Sequence, residues 1–203
     1  VNNFRPDDAV LCISKAMKLA PKNPESHPNL ALANKDQGKL PRAVEHIRRT
    51  IRLDPNNPMT YNNLGNVLRE QGKPREAIRE YEKALKLQPE FGQCWSNFSA
   101  ALNEADQRKA AHRAVNRAIE LEPDLAQAHN NRGDILLAEA RYAEALTAYE
   151  NAVKLNPKYS AALINMARVQ RDMDSADAAL ATLERALNLE PRNPEALHVL
   201  GVL

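Results

Sequence analysis

Five asparagines, Asn29, Asn63, Asn97, Asn131 and Asn165, recur at a constant interval of 34 residues. A carboxamide carries both a carbonyl acceptor and an NH2 donor. It can therefore pair with the C=O and N–H of one peptide unit, whatever side chain that peptide bears. Asparagine is a mediocre helix former, so helix propensity does not explain the repetition. The chemistry on offer is the holding of a polypeptide backbone. Each neutral hydrogen bond nets about 0.5–1.5 kcal/mol, and ordering a flexible guest subtracts from that gain. Weak, broad recognition is the expectation.

Bond-making chemistry finds no support in the residues. His27, His46, His112, His129 and His198 lie scattered, and none shares a helix turn with a second histidine at metal-ligand spacing. There is no Gly-rich phosphate loop and no nucleophile elbow. Cys12 and Cys94 stand 82 residues apart and match no metal or redox spacing. No catalytic residue, metal ligand or cofactor is assigned. Acidic side chains are plentiful but interleave with Lys and Arg, as on a solvated helix face. The group Arg48, Arg49 and Arg52 is partly offset by Glu45 and Asp54, so a solvated face is the better reading than a nucleic-acid patch.

Composition agrees. The 28 basic and 26 acidic residues leave a net charge of +2, which provides no electrostatic reason to expect nucleic acid or an anionic membrane. No apolar run is long enough to span a bilayer. Two thiols without a disulfide framework fit a reducing compartment, so an intracellular, cytoplasmic location is expected. Gly is scarce, aromatics make up 4%, and good helix formers dominate.

The elements that must carry the asparagines show the same interval. Pro21, Pro55, Pro89, Pro123, Pro157 and Pro191 are spaced by 34 residues. So are Ala9, Ala43, Ala77, Ala111, Ala145 and Ala179, and the column Ala16, Thr50, Ala84, Ala118, Ala152, Ala186. A further small column runs Ala31, Gly65, Ser99, Gly133, Ala167, Gly201. With Pro24 as position 1, five full repeats cover 24–57, 58–91, 92–125, 126–159 and 160–193. Residues 1–23 supply the second half of an earlier repeat, and 194–203 open a further one. Each repeat predicts a helix over positions 1–14 and another over 17–30. Large apolar residues at positions 4, 7 and 11, and at 24 and 30 as in Tyr81 and Leu87, share one helical face. Small residues at 8, 20 and 27 let the paired helices approach closely. Proline at position 32 stops the second helix, and Pro24, Pro58 and Pro194 suit first helical positions.

The series Tyr61, Leu64-Gly65, Leu68, Ala77, Tyr81, Ala84, Pro89 resembles the tetratricopeptide-repeat signature. That resemblance covers essentially the whole chain. It implies an all-α fold, a right-handed superhelical solenoid of antiparallel helix pairs. First helices would line its concave side, with position 6 pointing into the groove. Packed helices sit about 8–10 Å apart and an extended chain advances about 3.3 Å per residue. One asparagine would then meet roughly every third residue of a guest. Asn62, Asn66, Arg69, Asn130, Asp134 and Arg168 are the neighbouring groove candidates. Departures mark weaker places: Arg132 at apolar position 7, Asn34 and Gln170 at position 11, Pro28 in an early helix. The turn glycine of Gly38 and Gly72 becomes Asp106, Ala140 and Asp174.

Asparagine is also frequent at position 6 across that family, so a purely structural use stays open. Such a ladder resembles the superhelical arm of O-linked N-acetylglucosamine transferases and SPINDLY-like proteins, where it grips the backbone of protein substrates. Chaperone-binding relatives instead clamp a terminal carboxylate with Lys and Arg. Position 5 here reads Pro28, Asn62, Ser96, Asn130, Ile164, and the cations are missing. The expected role is a scaffold for an extended protein segment, possessing no enzyme activity of its own, as one piece of a longer protein. The alternative is a structural protein that self-associates through uncapped ends, where Leu197–Leu203 exposes apolar surface, or through its convex face.

Overall fold

A computed structural model describes residues 39–203. Asn29, Pro28, Asn34 and the half-repeat 1–23 lie outside the described residues. Among the described residues there are ten helices and no strand. They are α1 (Leu40–Leu53), α2 (Pro58–Glu70), α3 (Pro74–Leu87), α4 (Gly92–Glu104) and α5 (Arg108–Leu121), followed by α6 (Ala126–Ala138), α7 (Tyr142–Leu155), α8 (Ser160–Asp172), α9 (Ala176–Leu189) and α10 (Pro194–Gly201). The fold class is all-α, built of antiparallel helix pairs. Two compact units divide the chain between Ala101 and Leu102.

In the first unit, α2 begins at Pro58 behind Asn57, whose side chain accepts from the Met59 N–H. The helix ends in a left-handed residue, Gly72, at φ +71°. There the Gly72 N–H donates to the Arg69 carbonyl at 2.9 Å and the Lys73 N–H to the Leu68 carbonyl at 3.0 Å. That bond pair is the Schellman closure, which satisfies carbonyls the helix leaves over. Pro74 then starts α3. Ala77 and Ala84, both fully buried, lay α3 against α2, while Tyr81 fills the space between them.

The second unit repeats the device without glycine. Asp106, Ala140 and Asp174 take φ of 60°, 56° and 56°, and Gln107, Arg141 and Ser175 close on Leu102, Leu136 and Gln170 at 2.9–3.0 Å. Second helices end in an extended residue that precedes proline, as Glu122, Asn156 and Glu190 do. Ala145, Ala152, Ala179 and Ala186 are wholly buried. One core joins Val153, Leu163, Ile164, Ala167, Leu183 and Val199; another joins Leu136, Tyr149 and Val169.

Position 30 corrects the sequence reading. Leu53, Leu87, Leu155 and Leu189 are 38–49% exposed rather than buried. Position 28 takes the burial instead, with Leu85 and Val153 at 8%. The reason is helical phase: Leu85 lies four residues beyond Tyr81 on the same face, whereas Leu87 is rotated away.

Rings at position 4 carry a second repeated contact. The Tyr61 hydroxyl and Trp95 indole N–H donate to the carbonyls of Pro55 and Pro89 at 3.0 and 2.8 Å. His129 Nε2 meets the Pro123 carbonyl at 2.9 Å, which requires that nitrogen to carry the proton.

Candidate functional site

The asparagine column lies on the first helices of the pairs, α2, α4, α6 and α8. In the first unit Asn97 Nδ2 donates to Asn62 Oδ1 at 3.0 Å, and both residues are under 5% exposed. Asn63 is exposed and makes no side-chain hydrogen bond among the described residues. The carbonyl oxygen of Asn66 accepts from the Tyr81 hydroxyl at 2.7 Å. Arg69 is half-buried.

The second unit draws four predicted residues into one network. Asn165 Nδ2 donates to Asn130 Oδ1 at 3.3 Å and to Asp134 Oδ1 at 3.0 Å. Asn130 Nδ2 donates to Asp134 Oδ2 at 3.1 Å, and the Tyr149 hydroxyl to Asp134 Oδ1 at 2.7 Å. Burial, reinforced by the adjacent Asp134 charge and its hydrogen bond, holds the Tyr149 phenol above the usual tyrosine range. It therefore stays a donor. Arg168 Nη1 reaches Asn165 Oδ1 at 3.5 Å, and its Nη2 stands 3.9 Å from Glu195.

Sequence reasoning expected each column asparagine to offer its whole amide to a guest. The described residues differ in how much of the amide is open. Asn97 is 4% exposed, Asn131 7%, and Asn165 half-buried. Small residues such as Ser96, Ala128 and Ala162 let the helix backbones approach closely. An amide then falls within reach of its neighbour, and Asn97 and Asn165 both donate across to the adjacent first helix. Only Asn63 among the described column members is exposed.

The two buried tyrosines were missed as site residues. Their signal was present in the sequence: Gly65-Asn66 occurs with Tyr81, and Gly133-Asp134 with Tyr149. Where the later residue is Leu183, the pair reads Ala167-Arg168. A glycine admits the ring, and the next residue accepts its hydroxyl.

Nothing in these contacts forms a catalytic pair. Beside Arg132, which is exposed, a shallow cleft is lined by His129, Leu136, Glu144 and Asn151. His129 is engaged by the Pro123 carbonyl and Glu144 by Arg141 at 2.6 Å. Among the described residues no group of three or more His, Cys, Asp or Glu could hold a metal ion. None of their helices is long and apolar enough to cross a membrane.

Family models described as tetratricopeptide repeat or TPR repeat match residues 34–72, 58–91, 98–162 and 136–203. No curated protein matches. Among solved structures, YrrB, a TPR protein with an unusual peptide-binding site, is 25% identical, with a TM-score of 0.59 over 95% of this chain and 100% of its own. MamA is 23% identical over 80% of this chain and 95% of its own, with a TM-score of 0.62. PilW, a type IV pilus biogenesis factor, reaches a TM-score of 0.79 at 18% identity, over 96% of this chain and 90% of its own.

Proposed function

We propose a binding role on the premise that this chain belongs to the tetratricopeptide-repeat family: it holds an extended polypeptide along the polar face of its first helices. The observation that carries this reading is the hydrogen-bonded strip of amides and charges on α6 and α8 of the second unit; within the first unit, α2 bears amides of the same kind, Asn62, Asn63 and Asn66. Asn130, Asp134 and Asn165 are fixed by their neighbours, so a guest meets groups already in place there, which lowers the ordering cost of binding. The likeness to YrrB, a protein with a peptide-binding site, supports the same direction.

Asn63 is the side chain to test, because it is exposed and its loss leaves the core untouched. Asn63→Ala should weaken binding of a labelled Ser/Gly/Gln peptide several-fold without moving the melting temperature. Asn116→Ala, exposed on the second helix α5, serves as the control. Equal affinity of both variants and the parent would remove the asparagine face from the proposal. The narrower reading, a substrate arm of the O-linked N-acetylglucosamine transferase kind, rests on the asparagine column alone. Two of its four described members, Asn97 and Asn165, are engaged between helices, and the scaffold reading is the one we carry forward.

Self-association is a second reading, favoured by α10 and its end. Leu197, Leu200, Val202 and Leu203 are 37–52% exposed there. Light scattering across a concentration series tests it, and a constant monomer mass would exclude it.

A further inference from the structure

Within the second unit, two residues occupy the same register on successive first helices: Asp134 on α6 and Arg168 on α8. Their surroundings differ. The Asp134 carboxylate accepts from Tyr149, Asn130 and Asn165, so its two oxygens are already engaged. One of those donors, Asn165, comes from the next first helix, 31 residues further along.

The corresponding residue for Arg168 is Val199, which is apolar and 1% exposed. No amide stands at that register on α10, and the polar group that α10 brings to Arg168 is Glu195, one turn earlier. Its contacts are a 3.5 Å approach to Asn165 and a loose 3.9 Å pairing with Glu195. A guanidinium has five N–H donors in a planar fork suited to a carboxylate. The side chain of Arg168 is 35% exposed and that of Glu195 70%, so the pair stands open to solvent and exchanges readily. Of the two charges on this strip, the negative one is saturated and the positive one is not.

We propose that Arg168 receives an acidic side chain of the bound polypeptide, so that this part of the strip selects guests carrying Asp or Glu. The inference rests on the groove-binding reading above. Arg168 displaces its hold on Glu195 and forms a paired hydrogen bond to the guest carboxylate, which is shorter and stronger than a neutral one. No bond is made or broken covalently.

The test uses the full chain and three labelled, C-terminally amidated Ser/Gly peptides with Glu, Gln or Lys at every third residue. Fluorescence anisotropy at low salt should show the Glu peptide binding about ten-fold tighter than the Gln peptide. The Lys peptide should bind weakest. Arg168→Gln should bring the Glu to Gln ratio close to one, and Arg168→Lys should restore part of it. The preference should shrink as salt is added. Binding of the Gln peptide that equals binding of the Glu peptide in the parent overturns the role of Arg168 and leaves groove binding intact. An unchanged preference in Arg168→Gln, with its circular dichroism intact, does the same. Failure of all three peptides to bind overturns the groove reading as well.

Discussion

The ring of Tyr149 lies so close over Gly133 that a Cβ there would come within 2.5 Å of the ring edge. Tyr81 covers Gly65 in the same way, also at 2.5 Å. Both rings are wholly buried and anchored by their hydroxyls, so neither can swing aside. Gly133→Ala and Gly65→Ala should each destabilise the fold by about 1–3 kcal/mol, despite alanine's better helix propensity. Gly201→Ala, with nothing within 4 Å, should be neutral or mildly stabilising. Urea unfolding followed by circular dichroism distinguishes these outcomes.

Ala140 closes α6 in a left-handed conformation at φ 56°. A Cβ costs roughly 1 kcal/mol there, and glycine avoids it. Ala140→Gly should therefore raise stability by about 0.5–1 kcal/mol, while Gly72→Ala should lower it. The aspartates at Asp106 and Asp174 should gain less from glycine, since aspartate tolerates this region better. Denaturant midpoints at constant slope provide the check.

Gln170 is 8% exposed on α8, and its Oε1 is buried without a hydrogen-bond partner. The equivalent residues Leu68, Leu102 and Leu136 are apolar and buried. Gln170→Leu should stabilise by about 1–3 kcal/mol, the scale of an unmet buried polar group. An unchanged or lower melting temperature would show that the amide is accommodated as it stands.

Much of the architecture could be read directly from residue spacing. Proline after each second helix, alanine where helices touch, and a special residue at each turn are local demands that recur with the repeat. The face of the asparagines could not be read that way. Asn97 and Asn165 are engaged by helices about one repeat away, and burial of an amide depends on how near that neighbour comes. Leu87 failed for a smaller reason: a two-residue step on a helix changes the face. Tyr81 and Tyr149 were recognised as core, but the hydroxyl at the end of each ring pointed to an acceptor that single columns do not reveal.

Glu139 bridges Arg141 and His112, each at 3.0 Å. The Arg141 hydrogen bond, followed by that of His112, holds its carboxyl below the ordinary value of 4.5. A lowered folded pKa contributes stability above the unfolded value and loses it as pH falls through the folded one. The stability difference between the parent and Glu139→Gln should thus shrink as the pH falls below about 4.5. Paired thermal melts from pH 7 to pH 3 measure it.

Cys94 is fully buried, and burial pushes its thiol up to about 12. In a Cys12→Ser background, a thiol-disulfide reagent at pH 8 should leave the folded chain unlabelled and react only as the helices open. Immediate labelling would contradict the packing around α4.

The reach from position 4 to a proline carbonyl has an evolutionary corollary. Phenol, indole and imidazole all perform it with the same six-residue span, so the contact needs a proton at the rim of a ring and not one particular ring. Exchange among tyrosine, tryptophan and histidine at Tyr61, Trp95 or His129 should be a nearly silent drift. Phenylalanine, closest to tyrosine in outline, would be the disruptive neighbour.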